Sequence, residues 1–135
     1  MKIVVDTNIL FSAIISQQSL FRKILFDDTL TLYAPNFAFV ELFKYKEKIQ
    51  KFCKLSDTEL YEFMNLLVNR INFVNEQFIS LQNRQKAYEL CKEIDVKDTI
   101  FVALVFELNA LLWTGDKKLT IGLQMQGFNN FFQPI

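Results

Sequence analysis

The chain contains no histidine. Every mechanism that needs imidazole is therefore excluded, from Ser-His-Asp hydrolysis to histidine-paired RNA cleavage. Only three Gly and two Pro occur among 135 residues, which leaves little room for flexible linkers. The two cysteines, Cys53 and Cys91, stand apart without metal-ligand spacing. They read as buried thiols rather than as a disulfide or ligands. Long apolar runs are missing too: the longest, residues 100–106, falls far below the roughly 20 residues a membrane helix needs. The N-terminus enters a strand-like KIVVD with no charged start and apolar signal core before it. A soluble cytoplasmic protein, with no membrane partner, is the expectation. Net charge is absent as well, since 15 basic and 15 acidic residues cancel. That weighs against nucleic acid as a partner, because phosphate contacts call for basic surface. Neither G-x-G-x-x-G nor G-x-x-x-x-G-K-[ST] occurs, which argues against a phosphate-loop nucleotide enzyme.

What is present is core. Hydrophobic residues make up 51% of the chain and Phe alone contributes 15, enough to exclude disorder and to fill one domain over residues 1–135. Ile3, Val4 and Val5 form a continuous apolar strand of the kind buried on both faces of a parallel sheet. Residues 9–15 then predict a helix, and residues 19–28 a second with Leu20, Ile24 and Leu25 inward. A strand is predicted over 31–34, with a helix starting at Pro35-Asn36. On that helix Glu41, Lys44, Lys48 and Lys51 share one face, beside an apolar face of Ala38, Leu42, Ile49 and Cys53. A further helix spans 57–70, capped by Ser56 or Asp57, with an apolar band of Leu60, Phe63, Met64, Leu67, Val68 and Ile71. A third strand follows over 71–74 and a helix over 79–94.

The most informative stretch is DVKDTIFVALVFELNALLWTGDKKL, residues 95–119. Asp95 and Asp98 precede an apolar run, the order of a helix whose N-terminus carries negative charge. The helix should stop near Asn109, which tolerates the left-handed conformation. Residues 110–113 read as a buried strand, Thr114-Gly115-Asp116 as the turn leaving it, 117–125 as a helix and 128–132 as a last edge strand. Asp6 and Asp116 thus leave the carboxyl ends of two strands, where open α/β sheets form their sites. With right-handed crossovers, the element order predicts a three-layer α/β/α sandwich around a mostly parallel sheet. Each acid also has an ordinary reading: Asp6 as a helix N-cap, Glu41 among lysines as a solvated helix face.

The pattern resembles the PIN-domain ribonucleases, metal-dependent nucleases that include toxins of toxin–antitoxin pairs. Val4-Val5-Asp6-Thr7-Asn8 looks like the family's strand-end DTN, Glu41 stands where the family carries a mid-chain acid, and Thr114-Gly115-Asp116 looks like its final T-x-D. The likeness is concentrated in residues 1–15 and 90–120; KDTIFVAL and LWTGDKKL are similar to a bacterial subgroup of nucleic-acid-binding PIN proteins. The resemblance implies RNA, single-stranded in particular, as substrate and endonucleolytic phosphodiester hydrolysis as reaction. It also implies an antitoxin protein as partner, and it admits a homodimer built on the apolar band of residues 57–70.

Four carboxylates brought together are costly, since two unit charges about 4 Å apart repel by roughly 4 kcal/mol at an effective dielectric near 20. Either some are protonated or a cation binds. Oxygen-only ligands favour Mg²⁺ or Mn²⁺. On the PIN pattern, Asp6, Asp98 and Asp116 hold the metal and Glu41 completes or polarises the site. Asn8 and Thr114 fix carboxylate rotamers and waters, and Asp95 is an auxiliary acid or a simple N-terminal cap. The stripe of Lys44, Lys48 and Lys51 tracks an RNA backbone, which answers the objection from net charge. Other acid-bearing folds fit less well. A receiver domain needs an acceptor Asp where the third strand ends INFVN, and a haloacid-dehalogenase phosphatase needs a second Asp where Asn8 stands. The alternative is a PIN-like fold that binds RNA or a protein without cutting.

Overall fold

Ile3, Val4 and Val5 are completely buried, and a strand without a wet face needs cover on both sides. They lie in β1 (Lys2–Val5), an inner strand of a sheet that β2 (Thr31–Pro35), β3 (Ile71–Val74) and β4 (Leu111–Trp113) complete. The computed structural model describes residues 1–15 and 20–134. Strand order is β3-β2-β1-β4 with every pair parallel, so the sheet is wholly parallel among the described residues. The chain builds outward from β1 to β2 and β3, then crosses back to place β4 on the other side of β1. That reversal puts a topological switch point between the carboxyl ends of β1 and β4, the position where α/β sheets open a crevice.

Helices flank the sheet as the sandwich requires. α1 (Thr7–Ile15) packs with α2 (Leu20–Leu25) and α3 (Asn36–Cys53), and α3 lies on β2 and β3. α6 (Thr99–Leu108) lies on β1 and β2 and packs against α5 (Leu81–Cys91). The run Phe101 to Val105 is buried without a break, and α6 stops at Asn109 with φ 52°, the left-handed end expected of it. α4 (Asp57–Arg70) opens on a reciprocal capping box. Ser56 Oγ accepts the Glu59 N–H and Glu59 Oε1 accepts the Ser56 N–H, both at 3.1 Å, so Ser56 and not Asp57 is the cap. α7 (Lys117–Met125) closes the chain's helices.

Several expectations are corrected. Leu20 is 49% exposed rather than inward, because it borders an open cleft with Lys23, Ile24 and Phe132; Ser19, the first residue of that expected helix, lies outside the described residues. Val68 is 44% exposed, since one step of about 100° past Leu67 carries it off the buried line. α5 is shorter than 79–94: Ser80 Oγ caps it by accepting the Asn83 N–H, and Glu76–Phe78 form a separate 3₁₀ turn. The last edge strand over 128–132 is a single parallel bridge between Leu112 and Phe131. Leu112 uses both backbone groups there, with Asn130 and Phe132 at 2.8 Å each, and three-residue β4 has no room for a longer ladder.

Candidate active site

Asp6 is the residue after β1. Its backbone N–H continues the ladder onto Trp113 of β4 at 3.0 Å, while its carbonyl accepts the Ile9 N–H and starts α1. The strand-to-helix turn therefore leaves the carboxylate at the switch point, only 6% exposed. Oδ2 accepts a 2.7 Å bond from Thr114 Oγ1, and Oδ1 a long 3.4 Å one from the Asn8 N–H. The same Thr114 hydroxyl accepts the Asp116 N–H at 3.1 Å. One side chain thus ties the end of β1 to the turn after β4. Asp116 spends Oδ1 on the Leu119 N–H, at 3.1 Å, as the N-cap of α7.

Glu41 reaches this point from α3. Its Oε1 accepts a 2.8 Å bond from the hydroxyl of Thr7, a buried residue adjacent to Asp6 and 34 positions away in sequence. Asp98 arrives from the start of α6 and makes no capping bond. Asp95 caps the short 3₁₀ turn Val96–Asp98 that precedes α6: its Oδ1 accepts the Lys97 N–H at 3.0 Å and it is exposed. The two acids of this stretch therefore divide into a free, half-buried carboxylate and a cap.

Electrostatics tie the group together. Burial pushes the Asp98 carboxyl up to about 7, and the charges of Asp6, Asp95, Asp116 and Glu41 add to it in that order. The Asp6 carboxyl is also raised, by burial above all; its bonds from Thr114 and Asn8 oppose the shift, and Asp116 and Glu41 reinforce it. The only ion pairs among the described residues, Lys46–Glu47 and Lys92–Glu89, lie outside the cluster. An all-oxygen set carrying this much uncompensated charge fits a hard divalent cation in its chemistry. Its spacing is wider than its charge: among the described residues, no three acids stand close enough to grip one ion.

The other expected residues fall as follows. Asn8 is exposed and meets Asp6 through its backbone N–H, not its amide. Lys44, Lys48 and Lys51 are exposed along α3, with Lys44 Nζ 5.4 Å from the Tyr45 ring centroid. Cys91 is wholly buried, and burial followed by the charge of Asp98 pushes its thiol to about 11. That makes it inert as a nucleophile. Cys53 is half-buried and free. Thr7 went unrecognised in the sequence, where it reads as a turn residue. Its one signal is its place inside Asp6-Thr7-Asn8.

Comparison with curated proteins finds no match. Solved structures that share the fold include two of toxin–antitoxin proteins. One is the crystal structure of VapBC2 from Rickettsia felis bound to a DNA fragment from their promoter (TM-score 0.63, 17% identity, 97% of this chain and 96% of that chain). The other is a toxin–antitoxin complex from Klebsiella pneumoniae (TM-score 0.62, 18% identity, 98% of this chain and 97% of that chain). The sequence profile of the PIN domain matches residues 4–133. By that match, which spans Asp6, Glu41, Asp98 and Asp116 alike, the chain belongs to the PIN-domain family, whose members are in general nucleases.

Proposed function

We propose that this protein is a metal-dependent endoribonuclease that hydrolyses phosphodiester bonds of single-stranded RNA, and that it is the toxin of a toxin–antitoxin pair. The observation that carries the reading is the shared field of Asp6, Glu41, Asp98 and Asp116 at the switch point, with Asp98 raised to about 7. Asp6, Asp98 and Asp116 would hold Mg²⁺ or Mn²⁺, and Glu41 would complete or polarise the site. When bound, the ion activates a water and stabilises the negative charge that builds on the phosphate. The protein's own groups prepare that chemistry. Thr114 holds Asp6 in one rotamer and positions the Asp116 backbone, so two ligands keep their relation before the ion arrives. Thr7 does the same for Glu41. Asp98, its carboxyl pushed up to about 7, would release its proton on holding a cation. Lys44, Lys48 and Lys51 guide the RNA backbone along α3. The antitoxin partner is supported by the two structural relatives, which are described as VapBC2 and as a toxin–antitoxin complex.

One observation favours a second reading, an RNA-binding module that does not cut: the acids stand too far apart to hold one ion as a threesome. Labelled single-stranded RNA incubated with the protein and Mn²⁺, beside a chelator control and Asp6→Asn, separates the two. The nuclease reading expects cleavage that both controls abolish. RNA bound in chelator but never cut would establish the binding module instead.

A further inference from the structure

The carboxylates account for Glu41 and Asp98 but not for the hollow beside them. Between the first turns of α3 and α6 lies an open cavity of about 490 Å³, walled by Asn36, Phe37, Val40, Glu76, Lys97 and Ile100. Val40 directly precedes Glu41 and Lys97 directly precedes Asp98. Two of the cavity's walls are thus each one residue along the chain from a cluster acid, although no cluster acid lines it. Its surface is of the opposite character: Phe37 is 38% and Val40 59% exposed, apolar area kept in water at the lip of a charged site. The aromatic wall is anchored, because the Phe37 backbone N–H donates to Glu76 Oε1 at 2.7 Å. Among the described residues, Lys97 is the one cation lining the cavity, and it is exposed.

We infer that this cavity is the subsite for the nucleobase next to the scissile phosphate, stacked on Phe37 between Val40 and Ile100, with Lys97 on that nucleotide's phosphate. The inference rests on the ribonuclease reading and deepens it. A cluster of four acids repels the phosphates it must approach, so neighbouring nucleotides need attraction from elsewhere. An aromatic face supplies it without regard to charge, since every base offers a π-face. A single lysine at the edge then offsets the repulsion at one phosphate. Asn36 contributes an amide at the rim, where the edge of a splayed base is open to hydrogen bonding.

The test uses the full chain with Mn²⁺ and a short RNA cut at one site, into which an abasic nucleotide is placed one position at a time. Removing the base at one position next to the cut should raise KM roughly five- to hundredfold, the range for loss of one base–aromatic stack. Phe37→Ala should raise KM on intact RNA by a similar factor and add nothing on the RNA already abasic there, the signature of a shared contact. Phe37→Trp should restore the wild-type value. A flat abasic scan, an unchanged KM in Phe37→Ala, or two effects that multiply would each overturn the subsite while leaving the nuclease standing. Dimerisation that Phe37→Ala abolishes, without any change in KM, would assign the cavity to a second copy. Failure of the wild type to bind or cut any RNA would bring down the ribonuclease reading and this inference together.

Discussion

The two ends of the parallel sheet handle charge in opposite ways. At the amino end, Arg70 closes α4 and turns its guanidinium onto three backbone carbonyls, those of Leu25, Asp27 and Leu30. Asp27 is held below the usual carboxylate range there, first by the Thr29 hydroxyl, then by the Thr29 N–H and the charge of Arg70. At the carboxyl end, Asp98 is driven up to about 7 by burial and by four other acids. One end satisfies its polar groups and holds the β2 entry in place. The other accumulates charge, and the ion pairs among the described residues lie outside it. Perturbed carboxylates of this kind mark candidate sites, and the carboxyl end carries them.

The largest effect should come from breaking the charged end. Asp98→Asn should lower metal-dependent cleavage by more than the roughly 10–100-fold that losing an outer partner costs, with unfolding unchanged or slightly harder because repulsion is relieved. Turnover assays beside urea melts check both halves; a variant that still cuts at the wild-type rate would remove Asp98 from the site. Thr114→Val comes next. It deletes the hydroxyl shared by Asp6 and the Asp116 N–H and should weaken Mn²⁺ binding by about 10–100-fold, read by calorimetric titration.

Arg70→Gln probes the other end. It strips the fork from three carbonyls and should cost about 2–4 kcal/mol of stability, seen as a lower urea midpoint at constant slope. Cleavage per folded molecule should not change. Loss of both together would show the two ends to be coupled, against the division drawn above.

The metal-free protein offers a further test, its pH slope. The Asp98 carboxyl titrates at about 7 in the fold against an ordinary 3.8. Between those values the folded state keeps a proton that the unfolded chain has lost, so stability falls as pH rises from about 4 to 7 and then levels off. Asp6, raised in the same direction, adds to the slope. Thermal melts across that window should show the decline, and Asp98→Asn should flatten it. Saturating Mn²⁺ should reverse it, because a cation binds the deprotonated acids.

Much of the scaffold was legible because it depends on neighbours in sequence. The run Ile3 to Val5 needs burial on both faces, the apolar stretch after Asp98 needs a buried helix, and Asn109 supplies a left-handed stop wherever that helix lies. Local reading failed where an outcome hung on distant partners. Residues 128–132 carry the apolar pattern of a strand, yet β4 offers them one residue pair. Val68 and Leu20 belong to apolar patterns, yet the surfaces opposite them are open.

The sequence by itself excluded imidazole mechanisms and the phosphate loop, and so turned the reading toward carboxylates. It also determined that Asp6 and Asp116 sit at strand ends, because strand length and turn chemistry are local. Only the tertiary structure decided which acids meet. Asp95 and Asp98 are the same residue type three positions apart, and packing alone makes one an exposed cap and the other a half-buried acid without a capping bond. Glu41 joins them through a hydroxyl 34 residues away. Desolvation and Coulomb repulsion depend on distance in space, and the parallel crossovers of the sheet set that distance.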